Sequence, residues 1–169
     1  KHHKESPTFD FSKDEEIPNV TIQLPVYNEL YVMDRLLSNI AEIDYPKDKL
    51  EIQVLDDSND ESFEETAIHI KELQKTGLDI QHITRKTREG FKAGALKEGL
   101  KTAKGEYIAI FDADFLPKKD WLKSTIPYFK DPEIGVVQTR WGHLNRDYSI
   151  LTRVQAFALD AHFTLEQVG

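Results

Sequence analysis

Tyr107-Ile108-Ala109-Ile110-Phe111-Asp112-Ala113-Asp114 sets an uninterrupted apolar run directly against two carboxylates. The run lacks the polar alternation of a half-exposed strand and predicts a strand buried on both faces. Both faces are covered when helices cross over between parallel neighbours, so this stretch points to a parallel sheet. The sequence around it repeats the same rhythm. Upstream, Ala93 to Ala103 reads as a helix ended at Gly105, and Leu78 to Ile83 as a strand. Before these lie a helix over Glu61 to Lys75, stopped by Gly77, and a strand over Leu50 to Leu55. Residues 29–42 space Leu30, Met33, Leu36, Leu37, Ile40 and Ala41 as one helical face. Val20-Thr21-Ile22-Gln23-Leu24 reads as the first strand, stopped by Pro25. Downstream, a short helix is expected over Lys119 to Phe129 and a further strand over Ile134 to Gln138. A last helical stripe runs through Ile150, Leu151, Val154, Phe157, Ala158, Ala161, Leu165 and Val168.

Strand and helix alternate four times, which predicts an α/β fold: a mostly parallel sheet with helices on both faces. Residues 1–18, polar and carrying Pro7 and Pro18, read as a lead-in segment, and 19–169 as the domain. The 169 residues suit one domain, since a domain uses roughly 100–200 residues. Apolar residues make up 39% of the chain, enough for a core. The absence of cysteine excludes a disulfide scaffold, a thiolate metal site and a thiol nucleophile. A net charge of −8 argues against a nucleic-acid partner, which calls for a basic face. No apolar run approaches the roughly 20 residues that cross a bilayer.

In parallel sheets ligands bind beyond the carboxyl ends of the strands. The first strand runs into Pro25-Val26-Tyr27-Asn28-Glu29, the second into Asp56-Asp57-Ser58-Asn59-Asp60, and the fourth into Asp112-Ala113-Asp114. Any one of these is ordinary turn or cap chemistry. Together they gather Glu29, Asp56, Asp57, Asp112 and Asp114 on one edge, where they repel one another unless a cation or a donor-rich ligand is present. Asp112 and Asp114, one residue apart, suit a hard divalent cation such as Mg2+ or Mn2+. Such an ion takes one or two carboxylates and fills its shell with phosphate oxygens and water. Arg85-Lys86-Thr87-Arg88-Glu89-Gly90-Phe91-Lys92-Ala93-Gly94 supplies positive charge at a helix start, as an anion site needs, although a solvated basic loop has the same composition. Neither a Walker loop nor a G-x-G-x-x-G turn is present.

Other residues carry less. His2, His3, His69, His82, His143 and His162 lack metal-ligand spacing, and His69 and His82 read as surface or packing residues. Ser58 has no nucleophile arrangement around it. The sequon Asn19-Val20-Thr21 leads into a strand and reads as accidental. Trp121 and Trp141 read as packing residues, with a sugar-lining role open for Trp141 beside Arg140.

In order, Leu24-Pro25-Val26-Tyr27-Asn28-Glu29, Val54-Leu55-Asp56-Asp57-Ser58, Arg88-Glu89-Gly90-Phe91-Lys92-Ala93-Gly94-Ala95-Leu96 and Phe111-Asp112-Ala113-Asp114-Phe115 resemble the motifs of the family 2 glycosyltransferases, which have the GT-A nucleotide-sugar-binding fold. Val136-Val137-Gln138-Thr139-Arg140-Trp141, followed by Asn145, is similar to the cellulose-synthase-like branch, membrane synthases of β-linked mannans and glucans. The resemblance implies a UDP- or GDP-sugar donor, a glycan acceptor and an inverting, metal-dependent transfer. It implies that Tyr27, Glu29 and Asp57, supported by Asp56, surround the nucleobase and ribose. It implies that Lys92, with Arg88, meets the diphosphate. Asp112 would lie against ribose and diphosphate, and Asp114, with Asp112, would hold Mg2+ or Mn2+.

The family's general base, an acid in a later Glu-Asp segment, has no good counterpart here. Leu159-Asp160 and Leu165-Glu166 fall inside an expected helix, and Gln138-Thr139-Arg140-Trp141 is one residue short of the Q-x-x-R-W of processive members. The expectation is therefore a donor-binding part of a longer, membrane-embedded enzyme, facing the cytoplasm, with its base beyond Gly169 and weak or no transfer by this chain alone. A catalytically silent nucleotide-binding or scaffold domain is the alternative. A receiver-like module fits the order of the acidic clusters poorly, and paired-carboxylate hydrolysis draws its acids from different elements.

Overall fold

The computed structural model describes residues 9–139. These fall into two compact units, one spanning Asp10–Leu122 and a second to which Phe9 and residues 123–139 belong. The first holds four strands, β1 (Val20–Val26), β2 (Leu50–Asp56), β3 (Asp79–Ile83) and β4 (Tyr107–Ile110), all parallel in the order β3-β2-β1-β4. Between them run α1 (Met33–Ala41), α2 (Ser62–Lys75) and α3 (Phe91–Leu100). The expected α/β fold is therefore the one observed, with every predicted strand from Val20 to Phe111 found within a few residues.

Alternation along the strands assigns two faces. On one, Val20, Ile22 and Leu24 lie beside Ile52 and Val54, all buried. Helix α2 covers this side: its Phe63 ring lies 4.8 Å from the ring of His82, the β3 residue paired with Val54. Helix α1 packs on α2 and buries Met33, Leu36, Leu37 and Ile40 as one stripe.

The opposite face, under α3, is polar and yet buried: Thr21, Gln23, Glu51 and Gln53 are all closed to solvent. Buried polar groups are as a rule hydrogen-bonded, and these are knitted together, with Gln23 Oε1 the atom of the layer left without a partner among the described residues. Gln23 Nε2 donates to Gln53 Oε1 at 3.0 Å and to the Leu96 carbonyl at 3.3 Å, while Gln53 Nε2 donates to the Gly99 carbonyl at 3.0 Å. Glu51 accepts from Thr21 Oγ1 at 2.6 Å, Gln81 Nε2 at 3.0 Å and the Lys104 amide at 2.8 Å. The layer ties β1, β2 and β3 to the helix that leads from the candidate site.

Four details depart from the sequence reading. Strand β1 continues through Pro25 instead of stopping there. The Phe111 amide bonds to the Gln23 carbonyl, on the β4 side, and the Asp57 amide to the Val26 carbonyl, on the β2 side. Residue 25 thus faces the β4 side, past the end of β4, where no N–H is needed. Second, β4, read as the strand buried on both faces, is the edge strand among the described residues, and its Ile110 is 47% exposed. Third, the helix expected over Lys119–Phe129 is split into α4 (Trp121–Thr125) and a 3-10 turn (Ile126–Lys130), because Pro127 lacks the N–H that would continue the α pattern. Fourth, residues Ile134 to Gln138, expected to form a strand, have no regular pairing among the described residues. Val136 and Val137 favour a strand, but a strand exists only through a partner's ladder. The expected helix over residues 150–168, the chemistry weighed at Arg140 and Trp141, and Asn145 lie outside the described residues.

Of the lead-in segment, Ile17 and Pro18 are buried, and Tyr45 donates its hydroxyl to the Pro18 carbonyl at 2.6 Å. In the second unit, Lys130 Nζ lies 4.3 Å from the centre of the Phe9 ring.

A Cβ on Gly99 would meet Gln23 Nε2 and Gln53 Oε1 at 2.6 Å each. Gly99→Ala gains up to about 1 kcal/mol of helix propensity but overpacks a closed layer, which costs about 1–3 kcal/mol. The expected net result is a less stable domain, read as a lower urea midpoint. A midpoint at or above wild type would show that α3 is not pressed against this layer.

Candidate functional site

The carboxyl ends of β1 and β2 are fastened to each other before either carries a functional group. Asn28 adopts φ +54°, a conformation for which asparagine is enriched. Its amide N–H bonds to Ser58 Oγ at 2.9 Å. Its side chain forms a reciprocal pair with Asn59, Nδ2 to Oδ1 and Asn59 N–H to Oδ1, both at 3.0 Å. Glu29 follows, and its carbonyl accepts the Val32 and Met33 amides at the approach to α1.

Asp56 closes β2 with its side chain fully buried. One oxygen accepts the Ser58 amide at 2.8 Å, and the other lies 2.7 Å from His82 Nε2. Burial alone would push this carboxyl up, but the hydrogen bonds from His82 and Ser58 outweigh it and hold the carboxyl below the usual aspartate range. An ionised carboxylate can only accept, so His82 carries the proton on Nε2.

Asp57 meets Arg85 as a fork: Nε on Oδ1 at 2.8 Å and Nη2 on Oδ2 at 2.6 Å, with the carboxylate side chain only 6% exposed. Arg85 also donates Nη1 to the Glu89 carbonyl at 2.5 Å and Nη2 to the Phe91 carbonyl at 2.6 Å, which fixes the loop ahead of α3. In that loop Gly90 has φ +69° and Phe91 φ +47°. Gly94 makes room for the fork, since a Cβ there would stand 2.0 Å from the Glu89 carbonyl oxygen and 2.4 Å from Arg85 Nη1. The guanidinium of Arg88 stacks on Tyr27 at 3.4 Å from the ring centre. A cavity of about 290 Å³ opens among Asp56, Asp57, Asn59, Phe63, Thr84 and Arg88.

Beyond Phe91, Lys92 is ion-paired with Asp112, both about half-exposed. The chain turns after β4 with the Phe115 amide on the Asp112 carbonyl, leaving Asp114 exposed. Phe111 anchors the turn from below, stacked on Phe115 and edge-on to Trp121 at 4.8 Å, so Trp121 is a packing residue as expected.

Contacts thus link Tyr27, Arg88, Asp57 and Arg85 to the backbone beside Lys92, and Lys92 to Asp112. Among the described residues, no hydrogen bond or ion pair joins the side chains of Glu29 and Asp114 to this set. No three His, Asp or Glu side chains converge among the described residues. Asp112 and Asp114 still fit a divalent ion of the Mg2+ or Mn2+ kind, because two exposed hard-oxygen donors are what such an ion takes from protein when a diphosphate and water complete its shell. The sequence shows Arg85 only within a basic stretch, Asn28, Ser58 and Asn59 only within the strand-end motifs, and His82 as a surface or packing residue; the structure gives each a positioning contact. The strand-end rule, applied to β3 as to the other strands, singles out Arg85 from that stretch, two residues past Ile83.

The family model described as glycosyl transferase family 2 matches residues 21–166. A probable glucomannan 4-beta-mannosyltransferase 7 of Oryza sativa is 44% identical over 90% of this chain, and glucomannan 4-beta-mannosyltransferase 2 of Arabidopsis thaliana is 41% identical over 99%. The chain spans only 27% and 33% of the length of these two relatives. Among solved structures, the mannosyltransferase PcManGT of Pyrobaculum calidifontis, in complex with GDP-Man and Mn2+, is similar with a TM-score of 0.63 and 36% identity, over 73% of this chain and 36% of that one. TarS of S. aureus in complex with UDP-GlcNAc gives a TM-score of 0.56 at 28% identity, over 68% of this chain and 32% of that one.

Because Asp56 titrates lower folded than unfolded, its stabilisation is complete above the unfolded aspartate value, about 3.9, and fades as pH falls through the lower folded value. Asp56→Asn should cost about 1–3 kcal/mol at pH 7, with the gap to wild type closing as the pH drops below 4. Urea unfolding across this range checks it, and a gap that stayed constant with pH would contradict the assigned charge.

Proposed function

Because the chain belongs to glycosyl transferase family 2, we propose that its carboxyl-edge cluster binds a nucleoside-diphosphate sugar and that the whole protein transfers this sugar, with inversion, to a growing glycan. The observation that carries the reading is the placing of Lys92 and the exposed Asp112–Asp114 pair next to the Tyr27–Arg88–Asp57 cluster on one edge of a parallel sheet. The donor we propose is GDP-mannose and the product a β-linked mannan or glucomannan. Support comes from the mannosyltransferase relatives and from the GDP-Man bound in the Pyrobaculum structure. UDP-sugars are the competing donors, since TarS binds UDP-GlcNAc.

In this reading Tyr27 offers an aromatic face to the nucleobase. Asp57, supported by Asp56, and Glu29 serve the base and ribose. The fork of Arg85 keeps Asp57 in one rotamer. The ion pair of Lys92 with Asp112 is exposed and therefore weak, so a diphosphate can draw the ammonium away at little cost. Asp112 is then free to face ribose and diphosphate, and Asp114, with Asp112, would hold Mn2+ or Mg2+. When bound, the metal neutralises charge on the departing diphosphate. A general base that takes the acceptor hydroxyl's proton is assigned to no residue here. No helix among the described residues is long and apolar enough to cross a membrane. We propose that the whole protein is membrane-embedded, with this domain at the cytoplasmic side, as its similarity to the cellulose-synthase-like branch implies.

Calorimetric titration of the chain with GDP, with and without Mn2+, tests the site. GDP should bind more tightly with Mn2+, and Asp114→Ala should remove the metal-dependent part, a loss on the order of tenfold or more. Equal Mn2+-dependent affinity in wild type and variant would refute the metal assignment.

A further inference from the structure

Arg85 and Arg88 stand three residues apart and are held in opposite ways. Arg85 makes four hydrogen bonds, two to Asp57 and one each to the carbonyls of Glu89 and Phe91. Arg88 rests on aromatic faces, 3.4 Å from the centre of Tyr27 and 5.4 Å from that of Phe91. Its Nε is 3.8 Å from Asp57 Oδ2, beyond hydrogen-bond reach. That Nε is buried and finds no hydrogen-bond partner among the described residues. An unmet buried donor is costly, and a guanidinium stacked on a ring recovers only a modest part of the loss. Arg85 is a fixture, whereas Arg88 is loosely parked on the aromatic face that lines the way to Asp57.

Any planar group that stacks on this face of Tyr27 must displace Arg88. Once displaced, its planar fork of N–H donors suits phosphate oxygens, which it can meet in a bidentate way. We propose that Arg88 is a specificity-determining residue that selects nucleoside diphosphates over nucleosides: it covers Tyr27 in the free protein, yields that face to the base, and turns its guanidinium, with the unmet Nε donor, onto the diphosphate. A nucleoside must displace Arg88 and offers it nothing in exchange. A nucleoside diphosphate supplies hydrogen-bonding oxygens, where Asp57, already engaged by Arg85, offers Arg88 only an ion pair at 3.8 Å. This inference rests on the reading of Tyr27 as the platform for the base.

Calorimetry of the chain with guanosine and with GDP, in the presence of Mn2+, separates the two ideas. In Arg88→Ala the face of Tyr27 is free, so guanosine should bind roughly threefold to tenfold more tightly than to wild type. GDP, deprived of a charged donor, should bind at least about tenfold more weakly. Arg88→Lys keeps the charge without the planar stack, so it should bind guanosine more tightly than wild type and recover part of the GDP affinity. Tyr27→Ala should weaken both ligands. Guanosine affinity in Arg88→Ala that is unchanged, reduced or still undetectable, or GDP affinity that is not reduced, overturns the Arg88 proposal while leaving the platform intact. If Tyr27→Ala leaves GDP affinity at the wild-type value, the platform reading itself fails.

Discussion

The fork of Arg85 on Asp57 ties the tips of two paired strands to the loop that precedes α3. Asp57 comes from the tip of β2 and Arg85 from the tip of β3, and the same guanidinium holds two carbonyls of the loop that starts α3. Removing one partner of such a buried pair costs about 3–5 kcal/mol, yet replacing both by apolar groups is often neutral. Its contribution is therefore to geometry. It determines where the chain lies between Arg88 and Lys92, the two cations proposed to meet a diphosphate.

The fork needs a rigid base. The polar layer beneath α3 gives that base direction as well as strength, because hydrogen bonds from Gln23 and Gln53 to the Leu96 and Gly99 carbonyls admit one placement of the helix, where apolar contact alone would tolerate several. The Asn28–Asn59 pair acts likewise at the other end, fixing the Tyr27 loop relative to Asp57. Rigid strands thus carry short loops, and the groups proposed to change partner on ligand binding, Arg88 and the Lys92–Asp112 pair, are those held by stacking or by exposed charge.

Much of this was legible from the chain. Hydrophobic periodicity predicted the strands and helices because burial enforces it, and the strand-end rule picked Asp56, Asp57 and Asp112 without coordinates. What escaped was set by long-range pairing. The alternation Thr21-Gln23 with Glu51-Gln53 looks like a solvated face and is in fact buried, which only the arrival of α3 decides. The run ending at Phe111 belongs to a fully covered strand by composition, yet β4 lies at the sheet edge among the described residues. His82 looked like packing because its partner Asp56 is 26 residues away. Pro25 looked like a stop because the missing N–H matters only where a neighbouring strand needs it.

The central claim is that one sheet edge, from Tyr27 to Asp114, is a single nucleotide-sugar site. A crystal structure of the chain with GDP-mannose and Mn2+ tests it most directly. The account predicts the guanine ring on Tyr27, the diphosphate against Lys92 and Arg88, and the metal on Asp114. A nucleotide bound away from this edge, or a metal with neither Asp112 nor Asp114 among its ligands, would contradict it.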